Sequence, residues 1–234
     1  MIYEFFKNPS IQLKKSSSLN ESFKELFRII LWSYLLRFIS YPFIGLADLI
    51  INAFSRFSFV EAIDTVQAKA AENYDVLFFL AVAPVLEELI FRLPLKISRV
   101  NILVSLLSAY VVFYLSSRHI SSLANLNEIF KIVGFGLICT ILVFRLKPIL
   151  INSFYKKYFG IYFYATTLAF GLIHINNFIA IVPQNLIWLS PIFILAQIIS
   201  GFFLGYIRLK NGITWSILLH FLFNLMPTIA YFAK

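Results

Sequence analysis

Seven apolar runs, near residues 26–54, 75–93, 100–116, 128–146, 159–182, 187–207 and 213–232, take up most of this 234-residue chain. Most of them reach or approach the roughly 20 residues that a helix needs to cross the hydrocarbon core of a bilayer. No water is available there to satisfy backbone groups, so such runs fold as helices that bond within themselves. Composition agrees, because 13% of the residues are charged, about half the share found in a soluble domain. The expected class is therefore all-α, a polytopic transmembrane helical bundle of about seven spans embedded in the lipid bilayer. The third run is short, and the first is long and interrupted by Arg37, Pro42 and Asp48. The first is expected to form a single kinked span.

The connections between the runs carry an orientation. Lys7, Lys14, Lys15 and Lys24 come first, then Lys96 with Arg99, then Arg145, Lys147, Lys156 and Lys157, then Arg208 with Lys210. These clusters fall in alternate connections, and by the positive-inside rule they place the N-terminus in the cytoplasm. The net charge of +9 is read as this topological signal, and no nucleic-acid partner is expected. Residues 1–25 are expected as a cytoplasmic N-terminal segment and 26–234 as a single transmembrane helical domain. Met1 to Lys24 lacks the apolar stretch of a cleaved signal, so the first run is expected to stay as a helix. Ser18 and Glu21 have capping-box spacing, and 61–72 (EAIDTVQAKAAE) is expected as a connecting helix. The single Cys139 has no disulfide partner and no nucleophile motif. His119, beside Arg118, is expected in a solvated loop.

The second run is the unusual one. Residues 81–96 read AVAPVLEELIFRLPLK, which sets Glu87, Glu88 and Arg92 inside apolar sequence. Each such side chain costs roughly 2.5 to 3.5 kcal/mol near the middle of a membrane helix, so the group is read as a functional site. A cluster that only locks helices together is the plainer alternative. Glu88 and Arg92 are four residues apart and are expected to pair on one helix face. Glu87 lies about 100° further round, free to face an internal cavity, where a poorly solvated carboxylate beside a second one is suited to taking up a proton. Other polar groups recur in the later runs. Phe170 and His174 stand four apart in AFGLIHINN, and His220 and Asn224 stand four apart in WSILLHFLFNL, each pair on one helix face. Gly201 and Gly205 form a G-x-x-x-G pattern that favours close helix packing.

These residues carry a resemblance. E-E-x-x-x-R at Glu87, Glu88 and Arg92, then F-x-x-x-H at Phe170 and His174, then H-x-x-x-N at His220 and Asn224, resemble in order and spacing the motifs of the CPBP family of CAAX proteases and bacteriocin-processing endopeptidases. Gly201, Gly205, Trp215 and Ser216 resemble the region leading into that family's last motif. The likeness covers about residues 75–228, the expected protease-like core. It implies an intramembrane endopeptidase in which Glu87 activates a water, His174 helps to position it, and His220 and Asn224 stabilise the oxyanion, with Glu88, Arg92 and Phe170 in support. It implies as substrate a prenylated CAAX-type protein or a bacteriocin-related peptide. The family is often called a metalloprotease, and Glu87, His174 and His220 would be the ligands of a zinc ion if a metal is bound. The chain lacks H-E-x-x-H, however, and the same groups serve a metal-free mechanism. The expected location is the cell membrane of a prokaryote.

Two other functions compete with this one. A proton-coupled transporter would also keep Glu and His in the membrane, but no internal repeat is visible. A non-catalytic, peptide-binding immunity protein of the same fold would not need all the motif residues. A question of depth also arises. Counting about 1.5 Å per residue from the expected cytoplasmic ends sets Glu87 and His220 about 10 Å deep and His174 about 22 Å deep. Either the fifth span begins later than residue 159, it tilts strongly, or the groups do not meet as expected, and the later start is the preferred reading.

Overall fold

A computed structural model describes residues 2–10, 13, 16, 18–73, 76–117 and 126–232. Arg118, His119, Lys14 and Lys15 lie outside the described residues. Within them every regular element is helical, and no strand is present. The elements are α1 (Ile2–Lys7), α2 (Leu19–Ser55), α3 (Phe59–Asn73), α4 (Ala83–Phe91), α5 (Arg99–Ser117), α6 (Leu126–Arg145), α7 (Pro148–Ile173), α8 (Ser190–Phe193), α9 (Leu195–Lys210) and α10 (Ile213–Phe232). A π-helical turn, Phe78–Val82, leads into α4, and 3-10 turns follow α4 and α7.

Residues 19–55 run as one continuous helix through Pro42. It starts where the capping-box spacing placed it: the Ser18 hydroxyl accepts from the Glu21 N–H at 3.2 Å. Asp48, the acid inside the first run, also has a structural partner. Its carboxylate accepts from the Phe59 N–H and from the Ser58 hydroxyl at 3.3 Å, which caps the start of α3. Two helical stretches, Leu19–Ser55 and Tyr155–Asn177, are long and apolar enough to cross a membrane, and Arg99–Tyr114 and Ile213–Ile229 are shorter apolar ones. Along α2 the large side chains of Phe27, Leu31, Phe38, Leu49 and Phe54 are all exposed. A continuous apolar face of this size is matched by lipid.

The core forms around α9, which packs against α7, α10, α2 and α4's 3-10 end. Two glycines allow the close approach. A Cβ at Gly205 would lie 2.6 Å from Phe163 Cε2, and one at Gly201 would lie 3.1 to 3.2 Å from Thr167, Phe170 and the Arg92 guanidinium. The N-terminal α1 joins this core, with the Phe5 ring edge-on to Phe163 and Tyr206. Glu25 of α2 and Lys210 of α9 form a buried ion pair at 2.9 Å. Arg28 and the Tyr206 hydroxyl complete the Glu25 shell, each at 2.8 Å, so the charges brought inside are satisfied. A second apolar cluster, with Phe59, Phe178, Val182 and Phe193, closes the opposite end.

Candidate active site

The motif residues meet because α4 runs antiparallel to both α10 and α7, whose end passes into the 3-10 turn that carries His174. Glu87 faces His174, Phe91 packs on Phe170, and Leu95 accepts a hydrogen bond from the Tyr155 hydroxyl. Numbers rise on one helix as they fall on the other. The same holds toward α10, where Glu88 meets His220 and Ser216 and Phe79 meets Asn224. The expected later start of the fifth span is not seen: α7 begins earlier, at Pro148, and passes through non-helical φ/ψ at Tyr158.

At the centre, Glu87 Oε2 is a buried atom with no direct hydrogen-bond partner. The His220 Nε2 lies 3.6 Å from it and the His174 Nε2 lies 3.9 Å from it. Both separations exceed a direct hydrogen bond and suit one bridging molecule. The far nitrogens fix the rings. His174 Nδ1 lies 2.8 Å from the Phe170 carbonyl, which can only accept, so Nδ1 carries a proton, and in the neutral ring Nε2 then presents a lone pair. His220 Nδ1 lies 3.0 Å from Glu88 Oε1. Phe170 packs edge-on against both imidazoles, with centroids 5.0 and 5.7 Å away.

The expected pairing of Glu88 with Arg92 is not formed. Glu88 is fully buried and turns instead to α10, where Ser216 and His220 hold its two oxygens. Arg92 is also fully buried, and none of its three guanidinium nitrogens has a hydrogen-bond partner. It lies over the Phe170 ring, 4.4 Å from the centroid, against the open face of Gly201. Spacing of i, i+4 permits a pair, but Ser216 and His220 lie one turn apart on α10 and each donates to one oxygen of Glu88.

Asn224 is placed by a backbone defect. In the π turn the Ala83 N–H reaches back to the Phe78 carbonyl, so the Phe79 carbonyl loses its ordinary partner. Its next candidate donor is residue 84, which is Pro and has no N–H. The Asn224 side-chain N–H fills that place, donating to the Phe79 carbonyl at 3.2 Å, and its second N–H remains available. Arg208 likewise holds the other end of α4. Its guanidinium donates to the Arg92 carbonyl at 3.0 Å and to the Leu93 carbonyl at 3.2 Å, satisfying carbonyls at the helix C-terminus.

Among the described residues no group of three or more His, Cys, Asp or Glu is arranged to hold a metal ion. Glu87, His174 and His220, the residues expected to hold a zinc ion if a metal is bound, stand with the two imidazole Nε2 atoms 3.9 and 3.6 Å from Glu87 Oε2. No reaction step is drawn through a metal here.

A sequence model described as type II CAAX prenyl endopeptidase Rce1-like matches residues 70–226, two thirds of the chain and all of the groups above. The chain belongs to that family. No curated protein and no solved structure gives a significant match. Membership in the Rce1-like family makes this an integral membrane protein of an endopeptidase class, and the match begins within α3 and ends on α10 just past Asn224. It leaves α1 and α2 outside. Sequence reading missed three parts of this Rce1-like site: the π turn, the Ser216 bond to Glu88, and Arg208 on the end of α4. Pro84, three residues before Glu87, was the visible trace of the first, and the i, i+4 spacing of Ser216 and His220 that of the second.

Proposed function

We propose that this protein is an intramembrane endopeptidase that hydrolyses a peptide bond with a water activated by Glu87. One observation carries the reading: a buried carboxylate oxygen without a direct partner, faced by two imidazole nitrogens at one-water distance. A water bound there gives one proton toward Glu87 Oε2 and one toward the lone pair of His174 Nε2. As its oxygen bonds to the scissile carbonyl carbon, Glu87 takes the proton and the carbonyl becomes an oxyanion. His220 Nε2–H and the free Asn224 N–H donate to that oxyanion, and Glu88 supplies the counter-charge to the doubly protonated His220 ring. Collapse breaks the C–N bond, and the proton on Glu87 leaves with the amine. A preorganised oxyanion donor is worth roughly 3 to 4 kcal/mol in k cat terms, because it acts in a site with little water.

A prenylated CAAX-type tail is the substrate to test first, since the matching family is described by that chemistry. The reading keeps seven spans with a cytoplasmic N-terminus, the basic clusters at Lys96, Lys156 and Arg208 marking one side. The test uses purified protein in lipid nanodiscs with a farnesylated CAAX peptide, followed by mass spectrometry in water labelled with oxygen-18. One labelled oxygen is expected in the new carboxylate. Glu87→Gln is expected to slow turnover by about 10²- to 10⁴-fold, the usual range for a general base, with an unchanged melting profile. Wild-type rates from that variant refute the mechanism.

A further inference from the structure

The N-terminal turns of α2 carry two basic residues beside an apolar surface. Lys24 and Arg28 stand four apart, so they share one side of the helix, and both are exposed. With Phe23, Phe27, Leu31 and Trp32 they line a surface cleft of about 600 Å³, inside the roughly 300 to 1,000 Å³ typical of clefts that take small molecules. Phe23 forms one edge, its ring packed edge-on against Trp215 at the start of α10 with centroids 5.0 Å apart. Phe27, Leu31 and Trp32 are all exposed.

The buried neighbours do not use up these charges. Glu25 is held from the core side by Lys210 at 2.9 Å and by the Tyr206 hydroxyl at 2.8 Å, so that acid is neutralised without Arg28. Arg28 gives it one nitrogen, at 2.8 Å, and a guanidinium has five N–H donors. Its side chain is 56% exposed. Depth then decides the partner. Nineteen residues separate Arg28 from Asp48, about 29 Å of helix, which matches the roughly 30 Å of a hydrocarbon core. The one charge between them, Arg37, turns inward to Ser200. Arg28 therefore stands where hydrocarbon begins, and Lys24 lies about 6 Å further out, at headgroup level. Leu31 and Trp32 lie one turn inside the boundary, where tryptophan is commonly found. A soluble anion would meet the charges alone, whereas a phospholipid meets the charges and the apolar surface together.

We propose that this cleft binds one anionic phospholipid, with its phosphate against Lys24 and Arg28 and its acyl chains along Phe27, Leu31 and Trp32. The site lies on α2, outside the family match, and it does not rest on the endopeptidase reading. Each basic group at a membrane surface adds about fivefold to the affinity for anionic lipid, so the pair adds on the order of thirtyfold.

The test titrates the full-length protein in detergent with phosphatidylglycerol or phosphatidylcholine and reads the dissociation constant of the first bound lipid by native mass spectrometry. The variants are Lys24→Gln/Arg28→Gln and, as a charge-matched control on the same basic side, Lys156→Gln/Lys157→Gln, which alters two exposed residues of α7. The wild type is expected to bind phosphatidylglycerol roughly tenfold or more tighter than phosphatidylcholine, the first variant to lose about thirtyfold, and the control to stay within about twofold of wild type. Lys24→Gln alone leaves the Arg28–Glu25 bond in place and is expected to lose about fivefold, which decides the matter if the double variant does not fold. Equal weakening in the two double variants makes the attraction a general effect of net charge and overturns the site. Equal wild-type affinity for the two lipids, or full binding by Lys24→Gln/Arg28→Gln, overturns it as well. Displacement of the lipid by inorganic phosphate at the same concentration overturns the lipid and leaves a bare phosphate site.

Discussion

Replacing Glu88 by Gln separates a catalytic support from a structural one. The carboxylate is fully buried and meets two donors, Ser216 Oγ–H and His220 Nδ1–H. Glutamine fills the same volume, but it offers one oxygen and one NH₂ where the site presents two donors. One charge-assisted bond is lost, worth about 1.5 to 3 kcal/mol, and the counter-charge to His220 goes with it. Ser216 can adapt, because its single proton can turn to the Leu204 carbonyl, 2.9 Å away. The folded state thus loses little, while the oxyanion donor loses its support only as charge develops.

At about 2 to 3 kcal/mol in the transition state, Glu88→Gln is expected to lower kcat by roughly 30- to 150-fold. KM should change little, and the melting temperature in detergent should stay close to wild type. The assay is the rate of farnesylated-peptide cleavage with a parallel thermal unfolding curve. Wild-type kcat with a lowered melting temperature would falsify the support role and make Glu88 a helix lock. Glu88→Ala provides contrast, because it strands the His220 ring and leaves a cavity, so stability and rate should fall together.

Three further outcomes follow from the same geometry. Asn224→Ala removes an oxyanion donor and strands the Phe79 carbonyl, so kcat is expected to fall about 10²- to 10³-fold with a measurable loss of stability; a stability loss alone would limit Asn224 to bracing the π turn. Gly205→Ala pushes a methyl into the Phe163 ring and should destabilise the fold by about 1 to 3 kcal/mol, read by denaturant or thermal unfolding, and an unchanged curve would show that Phe163 yields freely. Arg208→Met keeps apolar bulk but leaves the Arg92 and Leu93 carbonyls bare, and amide hydrogen exchange at the end of α4 should speed up by roughly tenfold or more.

How far the sequence foretold this arrangement depends on the kind of contact. Helical periods and motif spacing placed Glu87, His220 and Asn224 within helical segments, because such spacing is local to one helix, while His174 falls just past the end of α7, in the 3-10 turn that follows. The Ser18 cap and the connecting helix near 61–72 were legible for the same reason. The Glu88–Arg92 pair was expected from local spacing and lost to a contact 128 residues away, Ser216, which no periodicity announces. The depth of His174 was misjudged because counting residues from a span's end assumes a straight helix from a known start, whereas α7 begins at Pro148 and breaks its helical φ/ψ at Tyr158. The π turn has a local trace in Pro84, but the need for it arises from Asn224 on a distant helix.

In the proposed mechanism the reaction moves charge within this bundle and creates none. Glu87 and Glu88 on α4 lie within a shell that also holds Arg92 and Arg208, two acids against two guanidinium groups, to which the proposed mechanism adds the charge of the His220 ring. When Glu87 takes a proton and the carbonyl becomes an oxyanion, one negative charge passes a few ångströms to a neighbouring point, and the surrounding cations stay where they are. In a medium of low polarity a newly separated charge would be costly, whereas a displaced one is already balanced. The same reasoning explains why Arg92 can lack a hydrogen-bond partner: the Phe170 ring holds it at 4.4 Å, and a bidentate partner would draw Glu88 away from His220.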